Sequence, residues 1–82
     1  MTAIEQLLTV VSRYSAATGL SEATVSARYF GGGLVISKLR DGADMRSRRL
    51  EMGLARLSAH WPADAPWPAD VPRPSAPQAA AE

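Results

Sequence analysis

All six prolines of this 82-residue chain fall between Pro62 and Pro77, so the first 61 residues are free of the residue that most firmly stops a helix. The chain is thus divided into a helix-permitting stretch and a stretch, Trp61-Pro-Ala-Asp-Ala-Pro-Trp67-Pro-Ala-Asp-Val-Pro-Arg-Pro, that can form neither a regular helix nor a central strand. Residues 1–61 form the expected domain. Residues 62–82 are a tail, in which 62–72 are ordered against the domain or against a dimer partner and 73–82, above all Ser75–Glu82, are disordered. The tail repeats Trp-Pro-Ala-Asp at 61–64 and 67–70, which is too short to be a structural repeat unit.

Within the proline-free stretch, Ile4, Leu7, Leu8, Val11 and Tyr14 recur at helical spacing and predict a first helix from Thr2 to Thr18, ended by Gly19. Ser21 caps a second, Ser21 to about Phe30, with Glu22 in its first turn and Leu20, Val25 and Tyr29 or Phe30 turned inward. Gly31-Gly32-Gly33 forms a turn, since each glycine costs about 1 kcal/mol in a helix interior. A short third helix runs from about Gly33 to Arg40, with Val35, Ile36 and Leu39 available for burial and Gly42 as its stop. Asp44 caps a fourth, Met45 to about Trp61, where Leu50, Leu54, Leu57 and Trp61 make a second apolar stripe and Gly53 implies close packing against another helix.

One core of this size leaves no room for a second, substrate-holding domain. The chain has no cysteine and a single histidine, His60, so it offers no disulfide framework, no thiolate nucleophile and no metal-ligand cluster. Asp64 and Asp70 lie in the tail with nothing to set them as an acid/base pair, and the glycine triplet has no preceding strand and no following Lys-Ser/Thr pair to make it a phosphate loop. An enzyme, a cofactor and a metal are therefore not expected. The longest apolar run, Leu7–Val11, is far short of a membrane span, and Met1–Glu5 is no basic leader, which predicts a cytoplasmic protein without a membrane partner.

The net charge of +1 conceals a segregation: residues 13–56 carry eight cations against four anions, and residues 57–82 carry a net of −2. Eight of the nine cations are arginine, whose planar fork suits phosphate oxygens, so the middle of the chain points to a polyanion partner. A solvated helical surface explains the same charges equally well. Arg46, Arg48 and Arg49 stand near the start of the fourth helix, where the helix dipole disfavours cations and an external anion would relieve the conflict.

Two segments carry a resemblance. Gly19-Leu20-Ser21-Glu22-Ala23-Thr24-Val25-Ser26 looks like the start of the second helix, and Ile36-Ser37-Lys38-Leu39-Arg40-Asp41-Gly42 is similar to the end of the recognition helix, in Cro/repressor-type (Xre-like, lambda repressor-like) helix-turn-helix regulators. The resemblance covers about residues 3–60 and needs no insertion. A second frame, with Thr18–Ser26 as turn plus recognition helix, leaves no helix before it to complete the core and puts Arg28 at a buried position.

The resemblance implies an all-α, compact four- to five-helix DNA-binding domain with a proline-rich C-terminal tail. It implies a sequence-specific transcriptional regulator, a repressor acting as a homodimer on palindromic double-stranded DNA, of a phage or integrative mobile element. Gly33, Leu34, Ser37 and Lys38 then take the base-facing positions, with Lys38 able to donate to guanine, Ser37 able to use either edge and Leu34 able to touch a thymine methyl. This reading set is thin, so specificity leans on DNA shape or on Arg40. The phosphate contacts expected are the amides that open the second helix, with Ser21 and Glu22, and the side chains of Arg28, Arg40, Arg46, Arg48 and Arg49. Leu57, Trp61, Trp67 and Val71 are expected to form the dimer surface, unless the tail folds back on its own domain. The rival to DNA binding is a helix-turn-helix-derived module that binds a protein, an anti-activator or antitoxin-like partner.

Overall fold

A computed structural model describes residues 2–74. Four α-helices make up its regular structure: α1 (Ala3–Thr18), α2 (Glu22–Phe30), α3 (Val35–Arg40) and α4 (Ser47–Ala59). Local chemistry sets most of their ends. Thr2 and Glu5 form a reciprocal cap at the start of α1: the Glu5 N–H donates to Thr2 Oγ1 (3.1 Å) and the Thr2 N–H donates to Glu5 Oε1 (2.9 Å). Gly19, at φ 77°, closes α1 in the left-handed conformation that glycine adopts without steric cost. Ser21 accepts the Thr24 N–H (3.1 Å) and starts α2 at the predicted place.

The helices enclose one core. Leu7, Val10, Val11 and Tyr14 of α1 face Leu50, Leu54 and Leu57 of α4, while α2 adds Val25 with both Tyr29 and Phe30, and α3 adds Ile36 and Leu39. Of the predicted α1 stripe, Ile4 and Leu8 lie only at its margin, and Val10 takes a fully buried place that the stripe omitted. Gly53 lets α4 approach α2 closely: a Cβ built there would lie 2.2 Å from Cε1 of Phe30. Among the described residues no helix is long and apolar enough to cross a membrane.

The proline segment returns to the domain instead of leaving it. Trp61, Pro68 and Val71 are buried and Trp67 is half-buried, so the tail caps the open end of the helical layer. The Trp61 ring packs on Tyr14 (centroids 5.7 Å) and on Trp67 (4.8 Å). Both copies of the tetrapeptide do the same thing. The tryptophan Nε1 donates to the carbonyl four residues on, Trp61 to Ala65 and Trp67 to Val71, each at 2.8 Å, across a turn in which Ala65 and Val71 donate back to Pro62 and Pro68 at 3.2 Å.

Each copy is thus a turn stapled by its own indole. Arg73, expected at the start of the disordered part, lies over the Trp67 ring (5.3 Å) and donates to Oγ and to the backbone carbonyl of Ser58, both at 2.9 Å. The expectation for Ser75–Glu82 lies outside the described residues.

The two tyrosines share a buried hydrogen bond, 2.8 Å between hydroxyls, with rings edge to face at 5.6 Å. Burial first, and the bond to Tyr14 second, push the Tyr29 phenol up to about 12 from its usual 10.0. Because the fold favours the neutral phenol, this contribution to stability is complete below about pH 10 and is lost as the pH rises through about 12. Urea denaturation between pH 9 and 12 should show that decline, and Tyr29→Phe should flatten it; an unchanged pH dependence in the variant would disprove the assignment.

Candidate nucleic-acid interface

The unit in question is α2, the glycine turn and α3. Gly31 ends α2 at φ 80°, and the chain turns through Gly32–Leu34 before α3 begins. One fully buried polar side chain fixes this turn: Ser26 Oγ donates to the Gly32 carbonyl and accepts the Ile36 N–H (3.2 Å). Ile36 is in the first turn of α3, where an amide has no intrahelical partner, so the Ser26 hydroxyl supplies what the short helix lacks.

The sequence motif includes Ser26 only as its final small residue; the signal that marks its role is a hydroxyl at an otherwise apolar inward position. Ser26→Ala leaves the buried Ile36 amide unpaired, while the Gly32 carbonyl keeps the Val35 N–H, and should lower stability by about 1–3 kcal/mol in urea denaturation. A change below about 0.5 kcal/mol would show that the turn is held by packing alone.

α3 presents two faces. Ile36 and Leu39 point into the core and Val35 is half-buried, while Gly33, Leu34, Ser37 and Lys38 are all open to solvent, Leu34 to 66%. Leu34 is thus not a core residue. The helix starts at Val35, two residues later than predicted, with Leu34 as a cap residue that has no side-chain hydrogen bond. A groove of about 350 Å³ runs between the first turn of α2 and α3, lined by Glu22, Ala23, Gly33, Leu34, Ser37 and Arg40, with Ile36 at its floor.

The predicted phosphate contacts fall into two groups. Arg40 is bound in a fork to Glu22, Nε to Oε1 at 3.0 Å and Nη2 to Oε2 at 2.7 Å, which ties the end of α3 to the start of α2. Arg49 donates to the Phe30 carbonyl and so satisfies the C-terminal end of α2. Glu22, Arg40 and Arg49 therefore have partners within the domain, with which an external phosphate would have to compete. The Ser21 hydroxyl also has local work, in the cap bond to Thr24.

Arg28, Arg46 and Arg48 are exposed, with no ion pair among the described residues. Arg28 lies in the last turn of α2, where the dipole favours a cation. At the start of α4 the expected Asp44 cap is absent: Asp44 Oδ1 accepts only the neighbouring Met45 N–H (2.9 Å), the chain stays extended through Arg46, and the helix begins at Ser47. Arg46 occupies the cap position without a side-chain bond, and the first turn holds Arg48 and Arg49 but no acid. The electrostatic conflict there is larger than the sequence predicts.

The residues expected to pair two subunits have other occupations. Leu57 and Val71 lie in the domain's own core, Trp61 is buried between Tyr14 and Trp67, and Trp67 is covered on one side by Arg73. Of the two expectations for the tail, the structure describes the second, a segment folded back on its own domain. His60 packs against the Tyr29 ring (5.7 Å) and holds Nδ1 3.0 Å from the Arg56 carbonyl. Comparison with family models, with curated proteins and with solved structures finds no match for this chain.

Proposed function

We propose that this chain is a sequence-specific duplex-DNA-binding regulator, a repressor that acts by occluding a promoter, and that it binds a palindromic operator as a homodimer. The observation that carries the reading is the outward face of α3: Leu34, Ser37 and Lys38 stand uncovered on a helix whose other face is anchored through Ile36, Leu39 and the Ser26 bond. Such a helix meets base edges in the major groove, with the partner copy's helix about 34 Å away in the next one. Arg46 and Arg48 at the uncapped start of α4, with Arg28, are the phosphate contacts that remain without an internal pair.

Lys38→Ala is expected to weaken binding to the specific site by about 1–3 kcal/mol and to relax base preference. Arg48→Ala is expected to weaken specific and random DNA alike and to lower the slope of log K against log salt by about one. Footprinting on the gene's own upstream region, followed by mobility-shift titration over a range of salt, measures both. Equal effects of the two substitutions on all sequences would remove the assigned roles.

A second reading has its own support. The Arg40–Glu22 pair leaves Lys38 as the one unpaired cation on α3, beside the exposed Leu34, and that combination suits a protein surface as well as a groove of DNA. The absence of any shift at low salt would decide for a protein-binding, anti-activator or antitoxin-like module.

A further inference from the structure

We infer that two copies of this chain pair through the outer face of α4, side by side and in the same direction. The inference rests on the homodimer reading above and supplies the surface that the tail does not. Met52, 50% exposed, is with Leu34 one of two large hydrophobic side chains left open among the described residues. With Ala55 and Ala59 it forms an apolar stripe at i, i+3 and i+7, beside a hollow of about 240 Å³ lined by Met52, Ala55, Arg56, Ala59 and His60. In a parallel pairing Ala55 of a second copy faces this hollow and Met52 meets Met52 at its edge, where an unbranched side chain adapts to irregular gaps.

Charge decides the occupant and its direction. Glu51 and Arg56 flank the stripe on opposite sides, five residues apart, and neither belongs to an ion pair, since Arg40–Glu22 is the only one among the described residues. In a helical seam with Met52 and Ala59 at the a positions and Ala55 at d, Glu51 takes g and Arg56 the following e, the two positions whose charges choose partner and orientation. Parallel helices set g of one against e of the other, so the two-fold pairing forms two Glu51–Arg56 contacts. An antiparallel pair would set Glu51 against Glu51 and Arg56 against Arg56.

Small residues at Ala55 and Ala59 let the helices approach closely. Arg48 falls at the preceding d position and confines the apolar part of the seam to the last two turns, so the association is weak and depends on concentration. A two-fold axis parallel to α4 leaves direction along the helix unchanged. Both α4 N-termini, with Arg46 and Arg48, therefore face the same way, as contact with one duplex requires.

Sedimentation equilibrium on the full chain without DNA, from about micromolar to about millimolar protein, tests the seam. Expected is a monomer–dimer equilibrium that Glu51→Arg and Arg56→Glu each weaken about tenfold, and that the double variant restores to within about threefold of the original. Met52→Glu should weaken it as well, and circular dichroism should show native helix content in every variant. A monomer throughout, a dimer indifferent to the single exchanges, or a double variant no better than the singles would overturn the proposal. A monomeric chain that still shifts DNA sinks the seam and spares the DNA reading; a charge-dependent dimer that shifts no DNA does the reverse.

Discussion

Replacing Trp61 by alanine should leave the chain largely unfolded at room temperature. The indole is buried, touches Tyr14 and Trp67, and donates through Nε1 to the Ala65 carbonyl, so its removal empties a large site and frees the first Trp-Pro turn. Truncating a buried tryptophan costs about 3–5 kcal/mol. A single core in chains of about 70–80 residues rarely supplies more than about 3–5 kcal/mol. The two ranges overlap, so little margin remains. Near-UV circular dichroism should lose its aromatic signal, and Trp67 fluorescence should shift to the red. Trp61→Phe keeps most of the packing and loses the N–H, so it should cost about 1 kcal/mol and still unfold cooperatively. If Trp61→Ala melted within about 1 kcal/mol of the original, the tail could not be part of the folded unit.

Gly53→Leu should be the most damaging substitution on α4. Even a single Cβ at this position would lie 2.2 Å from Cε1 and 2.5 Å from Cζ of Phe30, and the Phe30 ring is itself buried with little room to move. Overpacking costs about 1–3 kcal/mol for a few added methylenes, and more when helices must separate. A leucine gains about 1 kcal/mol of helix propensity over glycine, which offsets only part of this. A net loss of about 3 kcal/mol or more is expected in denaturant titration. Phe30→Ala destabilises by itself, yet in combination with Gly53→Leu it should recover part of the loss, because the new side chain then occupies the space of the ring. Strict additivity of the two substitutions would mean that they do not meet.

What the sequence made legible was what depends on near neighbours. The stop at Gly19, the cap at Ser21 and the turn after Phe30 each follow from the chemistry of one or two residues, and each stands where it was predicted. The α4 stripe of Leu50, Leu54, Leu57 and Trp61 is buried as a set, and Gly53 is the close approach it implied. Ser37 and Lys38, turned outward by implication of the resemblance, are exposed.

The errors lie where a distant residue competes with a local preference. Asp44 is a good cap residue, yet the chain around it stays extended and leaves the cap position to Arg46. Nothing local in the sequence marks the internal partners of Arg40 and Arg49, because Glu22 and the Phe30 carbonyl are 18 and 19 residues away. Composition marked the tail as irregular, which it is, but only the fold reveals that both tryptophans bend their own turns around themselves.

The backward wrap of that tail sets a clock on biosynthesis. Trp67, Pro68 and Val71, which complete the buried set, follow every helix in the order of synthesis. Helices form in about a microsecond, whereas the ribosome adds about 5–20 residues per second. The core therefore closes only once those late residues have been added and freed from the ribosome, so that its last folding step follows synthesis of the tail.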